Sequence, residues 1–158
     1  MPVVWRIVKA TRAAKAFTGE GSRLYGGRWN SPGVRVVYTA DSPALAALEL
    51  LVQLNDPMHL PSFVLISVGL ADDAVTELRP DQLPRNWRSY PPPPELQWVG
   101  DRWIREARSL ALRVPSVVEP RQHNYLLNPE HPGFRALEIG APAPYRFDMR
   151  LFGKSTDR

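Results

Sequence analysis

The sequence predicts a single α+β domain of short strands with about two main helices. Three observations carry that expectation. Apolar or β-branched runs of strand length recur at Val3–Val8, Val34–Ala40, Phe63–Leu70 and Leu110–Val118. Two stretches, one after Ser42-Pro43 and one after Gly100-Asp101, carry helix-start signals followed by helical composition. The 158 residues, 44% of them hydrophobic, suffice for one core, with no internal repeat and no sign of a second domain.

Taken in order, Val3–Val8 is a β-like run interrupted by one arginine, Arg6. A polar, glycine-bearing connection over Thr18–Gly27 leads into LYGGRWNSPG at 24–33. There two glycines, which let a ligand approach the main chain, run directly into Arg28, Trp29 and Asn30. VRVVYTA reads as a strand ending near Tyr38. Ser42 as N-cap and Pro43 at the first helical position start a helix, ALAALELLVQL, expected to reach about Leu54. Phe63–Leu70 is a buried strand by its length and unbroken apolarity.

LPRNWRSYPPPPELQW is too proline-dense for a helix or central strand. It reads as a rigid surface loop in preference to a docking peptide for an SH3-like partner. Gly100-Asp101 then opens the second helix with an acidic cap, and Leu110–Val118 is a strand broken at Pro115. The tail alternates short strands and turns, so the domain is expected to cover 1–152, with 153–158 as a polar tail.

Bulk properties exclude several classes. The chain has no cysteine, so disulfides and thiolate metal sites are out, and a reducing cytoplasm fits. No apolar run approaches the ~18 residues of a membrane span, and MPVVWRIVKA lacks the apolar run of a signal peptide. The net charge of +4 raises the question of nucleic acid. The basic residues are scattered arginines, however, with lysine confined to Lys9, Lys15 and Lys154. That pattern argues against direct nucleic-acid binding and for an anionic small ligand or acidic partner. P-loop, dinucleotide-fold glycine and serine-elbow motifs are missing. His59, His123 and His131 lack metal-ligand spacing, which implies no metal, and His123 and His131 read as loop residues.

Against this background Glu49 stands out as the only polar side chain between Pro43 and Val52, on a helix apolar almost all round. A helix of that kind is expected to be buried, where a lone carboxylate is costly unless paired or used. Two readings stay open: a structural ion pair with an arginine, or a catalytic or ligand-holding acid. The second is favoured. Tyr38, eleven positions upstream, can reach the same rim but taken alone is a core aromatic. Arg6 and Arg28 are the nearest fixed cations. Ser116, behind Pro115 at a strand end, has a hydroxyl expected to point outward and taken alone is a surface serine.

Together WRIV, GGRWNSPG, VVYTADSPALAALELL, the GDRW helix, LRVPSVV, NYLLNPEHPGF and FDMRLF resemble, in order and nearly end to end, the RES domain. This family is the toxin half of bacterial RES–Xre toxin–antitoxin pairs. By motif, the arginine, glutamate and serine of its name fall on Arg28, Glu49 and Ser116, its strand tyrosine on Tyr38 and its N-terminal strand arginine on Arg6. The resemblance implies a fold like that of the ADP-ribosyltransferase (diphtheria-toxin-like) enzymes and an activity that depletes NAD+, as hydrolase or, with inorganic phosphate as co-substrate, phosphorylase. It implies that Glu49 stabilises the charge developing on ribose, Tyr38 stacks on nicotinamide and Arg6 and Arg28 fork onto the pyrophosphate. Ser116 would orient a ribose hydroxyl or the nucleophile, with Gly27 and Asn124 also at the dinucleotide. It further implies an Xre-type antitoxin with a helix-turn-helix domain as partner. Two rivals remain: an ADP-ribosyltransferase acting on a protein acceptor, and a non-enzymatic basic binding module.

Overall fold

The computed structural model describes residues 1–153. Their centre is a seven-stranded mixed sheet. The strands are β1 (Val3–Lys9), β2 (Val37–Ala40), β3 (Phe63–Gly69), β4 (Val75–Glu77), β5 (Ala111–Pro115), β6 (His123–Leu127) and β7 (Ala143–Tyr145). They lie in the order β4-β5-β6-β2-β1-β3-β7. Every neighbouring pair is antiparallel except β4 and β5. Three α-helices decorate the sheet: α1 (Glu20–Tyr25), α2 (Pro43–Leu51) and α3 (Pro94–Glu106).

Register divides the core in two. Tyr38, Leu126 and Leu112 stand opposite one another across β2, β6 and β5, and so share a face. That face packs against Leu96, Trp103 and Ile104 of α3. Ala40 of the same face, with Ile7, packs against Leu45 and Ala46 of α2. The opposite face carries Val4, Val37, Val68, Ala111 and Leu127, covered by Phe17, Val75, Phe134 and Leu137. Each fully buried aliphatic chain contributes about 1.5–3 kcal/mol, so both layers are strongly specified. Both main helices therefore lie on one face, and the seam between them runs over β2 and β6.

The α2 start is as expected: Ser42 Oγ accepts from the Leu45 N–H at 3.1 Å, with Pro43 behind it. The helix stops at Leu51, short of Leu54, because Gln53 and Leu54 bond back to the Leu50 and Leu51 carbonyls in tighter three-residue turns. It is also less enclosed than its composition suggests. Leu45, Ala46 and Ala47 are buried, whereas Leu48 is exposed and Glu49 half-buried.

Other expectations need correction. α3 begins at Pro94, six residues before Gly100, because Pro93 and Pro94 occupy the cap and first turn, where a missing N–H costs nothing. Asp101 is therefore a mid-helix residue. The proline-rich segment ahead of it does run largely over the surface. β2 is shorter than Val34–Ala40 because the Asn30 side chain takes the Val34 carbonyl. Strand β5 is likewise confined to Ala111–Pro115, where Leu110 turns its carbonyl to Asn128 and Ser116 its N–H to Gln122. His123 opens central strand β6 and does not sit in a loop; His131 does precede a turn, capping it at the Gly133 N–H. Helix α1 was missed inside the Thr18–Gly27 connection. Gly19 and Gly26, with φ of 73° and 69°, bracket it, and Glu20 forks onto Arg23. Of the expected tail 153–158, residues 154–158 lie outside the described residues.

Candidate functional site

The GGRWNS loop folds onto itself before it meets anything else. The Gly27 N–H donates to the Asn30 carbonyl at 2.9 Å, closing a tight bridge across Arg28 and Trp29. Gly27 has to be glycine, since a Cβ there would sit 2.7 Å from the Tyr38 hydroxyl. Asn30, wholly buried, is the hub of the loop. Its Nδ2 donates to the Ser22 and Val34 carbonyls at 2.9 Å each, and its Oδ1 accepts from the Tyr38 hydroxyl at 2.6 Å. The Tyr38 oxygen in turn accepts from the Trp29 N–H at 3.2 Å. Trp29 is buried against α3. Burial raises the Tyr38 pKa well above its ordinary value, so the phenol stays protonated and serves to fasten β2 to the loop.

The loop turns Arg28 the other way. Its Nη1 donates to the carbonyls of Trp87 at 2.9 Å and Ser89 at 3.1 Å. Burial lowers the Arg28 pKa, opposed by the nearby charge of Glu49. The proline-rich segment is pinned from its other side as well, because Arg88 donates to the Val117 carbonyl at 3.2 Å. Trp87–Ser89 thus spans from the arginine loop to the turn that follows β5.

That turn contains Ser116, where the structure departs most from the sequence reading. Ser116 is wholly buried and its hydroxyl does not point outward. It donates to Glu49 Oε1 at 2.7 Å and accepts from the N–H groups of Val118 at 3.1 Å and Glu119 at 3.2 Å. One donor and two lone pairs are all a hydroxyl has, so nothing remains for a ligand. Its position makes it a support for Glu49. Glu49 is paired with a hydroxyl and with no arginine within salt-bridge distance among the described residues, which disfavours the structural ion pair.

Arg6 joins the same region from β1. The ladder between β1 and β2 consists of the single pair Trp5 and Ala40. Where it stops, Arg6 Nη1 donates to the Tyr38 carbonyl at 2.8 Å. Its Nε is buried without a partner, and burial pushes its pKa down to about 10. A buried, under-satisfied cation is held at a cost and is strongly drawn to an anion. Asn124, opposite Ala40 and Val114 in register, shares the Tyr38 face and donates to the Thr39 carbonyl at 3.3 Å.

The elements thus bring Gly27, Arg28, Tyr38, Glu49, Ser116 and Asn124 to one region at the seam of the two helices; Arg6, which alternates with Ile7 and so leaves β1 on the Val4 face, reaches it at the Tyr38 carbonyl. Sequence reasoning missed Asn30 as the hub, gave no role to Gln97 and read Asp101 only as a helix cap. Gln97 Nε2 donates to the carbonyls of Gly27 at 2.9 Å and Asn30 at 3.1 Å, and Asp101 accepts from Ser31. Nothing local marks these three; only the fold brings α3 beside the loop.

Residues 3–148 match the family model described as the RES domain. The chain belongs to the RES domain family. This RES domain is 39% identical over 150 residues to "Toxin Res" of Yersinia enterocolitica, covering 94% of this chain and 99% of that one. It is 33% identical over 156 residues to the "Prs ADP-ribosylating toxin" of a Sphingobium species, covering 96% and 97% of the two chains. Its fold is that of a chain in the crystal structure of the M. tuberculosis MbcT–MbcA toxin–antitoxin complex, at a TM-score of 0.74 and 21% identity, over 96% of this chain and 86% of that one. The α+β domain expected from the sequence is the domain observed.

Proposed function

We propose that this RES domain is the toxin of a toxin–antitoxin pair and arrests growth by cleaving the nicotinamide–ribose bond of NAD+. The observation that carries the reading is a carboxylate, Glu49, held by a wholly buried serine close to Arg28. Departure of nicotinamide develops positive charge on the ribose, as in glycoside cleavage. A carboxylate already fixed in place stabilises that charge without reorganising in the transition state. The Glu49 oxygen not taken by Ser116 is the one offered to the ribose. Arg6 and Arg28 supply the fixed cations that a pyrophosphate needs, and the half-buried Tyr38 ring offers an apolar surface to nicotinamide. Glycine at 27 lets the dinucleotide approach the main chain, and Asn124, on the Tyr38 face, adds an amide oxygen as a further contact for it.

The attacking group is water or inorganic phosphate, and no metal is required. Phosphorus NMR of the products, with and without added phosphate, tests this. ADP-ribose in both tubes is hydrolysis, and ADP-ribose-1″-phosphate only with phosphate is phosphorolysis. A second reading, transfer of ADP-ribose to a protein, is favoured by the similarity to the Sphingobium ADP-ribosylating toxin. NAD+ that survives both tubes but disappears on adding lysate, with label on one protein, would establish it. The site of action is then the cytoplasm, consistent with no described helix being long and apolar enough to cross a membrane. Restraint falls to an antitoxin of the Xre type with a helix-turn-helix domain, tested by co-purification with the product of a neighbouring gene.

A further inference from the structure

One side of α3 carries Gln97, Gly100 and Asp101, spaced so that they line up along the helix. All three meet the backbone of the loop that carries Arg28. Gln97 holds the Gly27 and Asn30 carbonyls. Asp101 Oδ1 accepts from the Ser31 N–H at 2.9 Å and its Oδ2 from the Ser31 hydroxyl at 2.6 Å. Gly100 is buried and so close to the loop that a Cβ would lie 1.7 Å from the Trp29 carbonyl oxygen. The residues on both sides of Arg28 are therefore fixed to one rigid helix, although the loop opens with two glycines.

We propose that Asp101, assisted by Gln97, is a positioning residue that sets where Arg28 presents its guanidinium to the substrate. The inference rests on reading Arg28 as a pyrophosphate ligand. A carboxylate suits the task because its two oxygens take an N–H and an O–H of one residue together, and charge-assisted bonds are roughly twice as strong as neutral ones. Bidentate recognition of a phosphate needs its fork in one place, and a shift of about 1 Å in such a group can cost on the order of 10²-fold. A clamp on Gly27 and Ser31 removes that freedom on either side of Arg28.

Four proteins test the proposal: Asp101→Ala, Asp101→Asn, Arg28→Lys and the double variant Asp101→Ala/Arg28→Lys. Asp101→Ala is expected to raise the KM for NAD+ roughly tenfold with kcat nearly unchanged, the pattern of lost binding. Asp101→Asn keeps an acceptor for the Ser31 N–H and is expected to restore KM to within about threefold of wild type. The double variant is expected to be no worse than Arg28→Lys alone, because residues acting as one unit are not additive. Independent losses that multiply in the double variant, or a wild-type KM in Asp101→Ala, would overturn the clamp. If the wild-type protein leaves NAD+ intact, the substrate reading has failed, and the same four are ranked by the inducer level that half-arrests growth at equal soluble protein. In that ranking a double variant as weak as Arg28→Lys alone upholds the clamp and multiplied losses overturn it.

Discussion

Ser116 and Glu49, 67 positions apart in sequence, meet through a 2.7 Å hydrogen bond from the serine hydroxyl to Oε1 of the glutamate. The serine is fully buried and its hydroxyl is itself held by two backbone N–H groups. Through this bond the turn after β5 fixes a side chain on α2. The carboxylate is thus set by the meeting of two elements, and α2 alone does not hold it.

Glu49→Gln removes the charge and keeps the shape and an acceptor for Ser116. NAD+ cleavage is expected to fall by about 10²–10³-fold or more, the scale for removing one preorganised electrostatic group. Circular dichroism is expected to be unchanged. A Gln variant that consumes NAD+ near the wild-type rate would make Glu49 a structural residue.

Ser116→Ala should act on both stability and rate. It leaves the N–H groups of Val118 and Glu119, in a half-buried turn, without their side-chain acceptor, at a cost of about 1 kcal/mol. It also frees Glu49 to change rotamer, so kcat is expected to fall while the KM for NAD+ stays closer to wild type. Thermal unfolding and steady-state kinetics on the same protein check the pair of effects. A variant that melts lower but turns over normally would leave Ser116 as a fold residue only.

How much of this was legible beforehand depends on the range of the interaction. The Ser42-Pro43 start of α2 and the β1 and β3 strands are written in neighbouring residues, and they fold as written. Arg6, Arg28 and Glu49 were visible because each breaks an apolar or glycine pattern. The start of α3 was not, because Pro93 and Pro94 read as breakers unless they are known to lie in a first turn. Helix α1 buries no residue and so leaves no periodic stripe. Asp101 read as a cap from its neighbours, whereas its partner Ser31 is 70 positions away. Ser116 failed for the same reason: a serine after a proline at a strand end gives no sign of the carboxylate it will meet.

Gly100→Ala offers a test in which the usual sign reverses. In an ordinary helix interior alanine is better than glycine by about 1 kcal/mol. Here the added methyl would lie 1.7 Å from the Trp29 carbonyl oxygen, a backbone atom that cannot swing aside. The expected result is a lower melting temperature and weaker NAD+ binding, as α3 is pushed off the loop. A variant as stable as wild type would mean that the helix and loop are not packed this closely.

Arg6 is the place where stability and function should part. Burial pushes its pKa well below the ordinary arginine value, to about 10, so the folded state disfavours the charged form. The unfolded arginine keeps its proton past the point where the folded one would lose it. The cost is therefore present in full throughout the neutral range and is relieved only as pH rises above about 10. At roughly 1.4 kcal/mol per pKa unit, discounted for the part of the side chain that reaches solvent, it amounts to about 1–3 kcal/mol. Arg6→Met keeps much of the volume and removes the charge, and it forgoes one hydrogen bond to the Tyr38 carbonyl, worth about 1 kcal/mol. The melting temperature is expected to hold or rise by a few degrees, at about 2–4 °C per kcal/mol for a domain of this size. The KM for NAD+ is expected to rise at least tenfold, since a pyrophosphate would lose one of its two fixed cations. A variant that is less stable and binds NAD+ normally would show instead that Arg6 is there to hold β1 to β2.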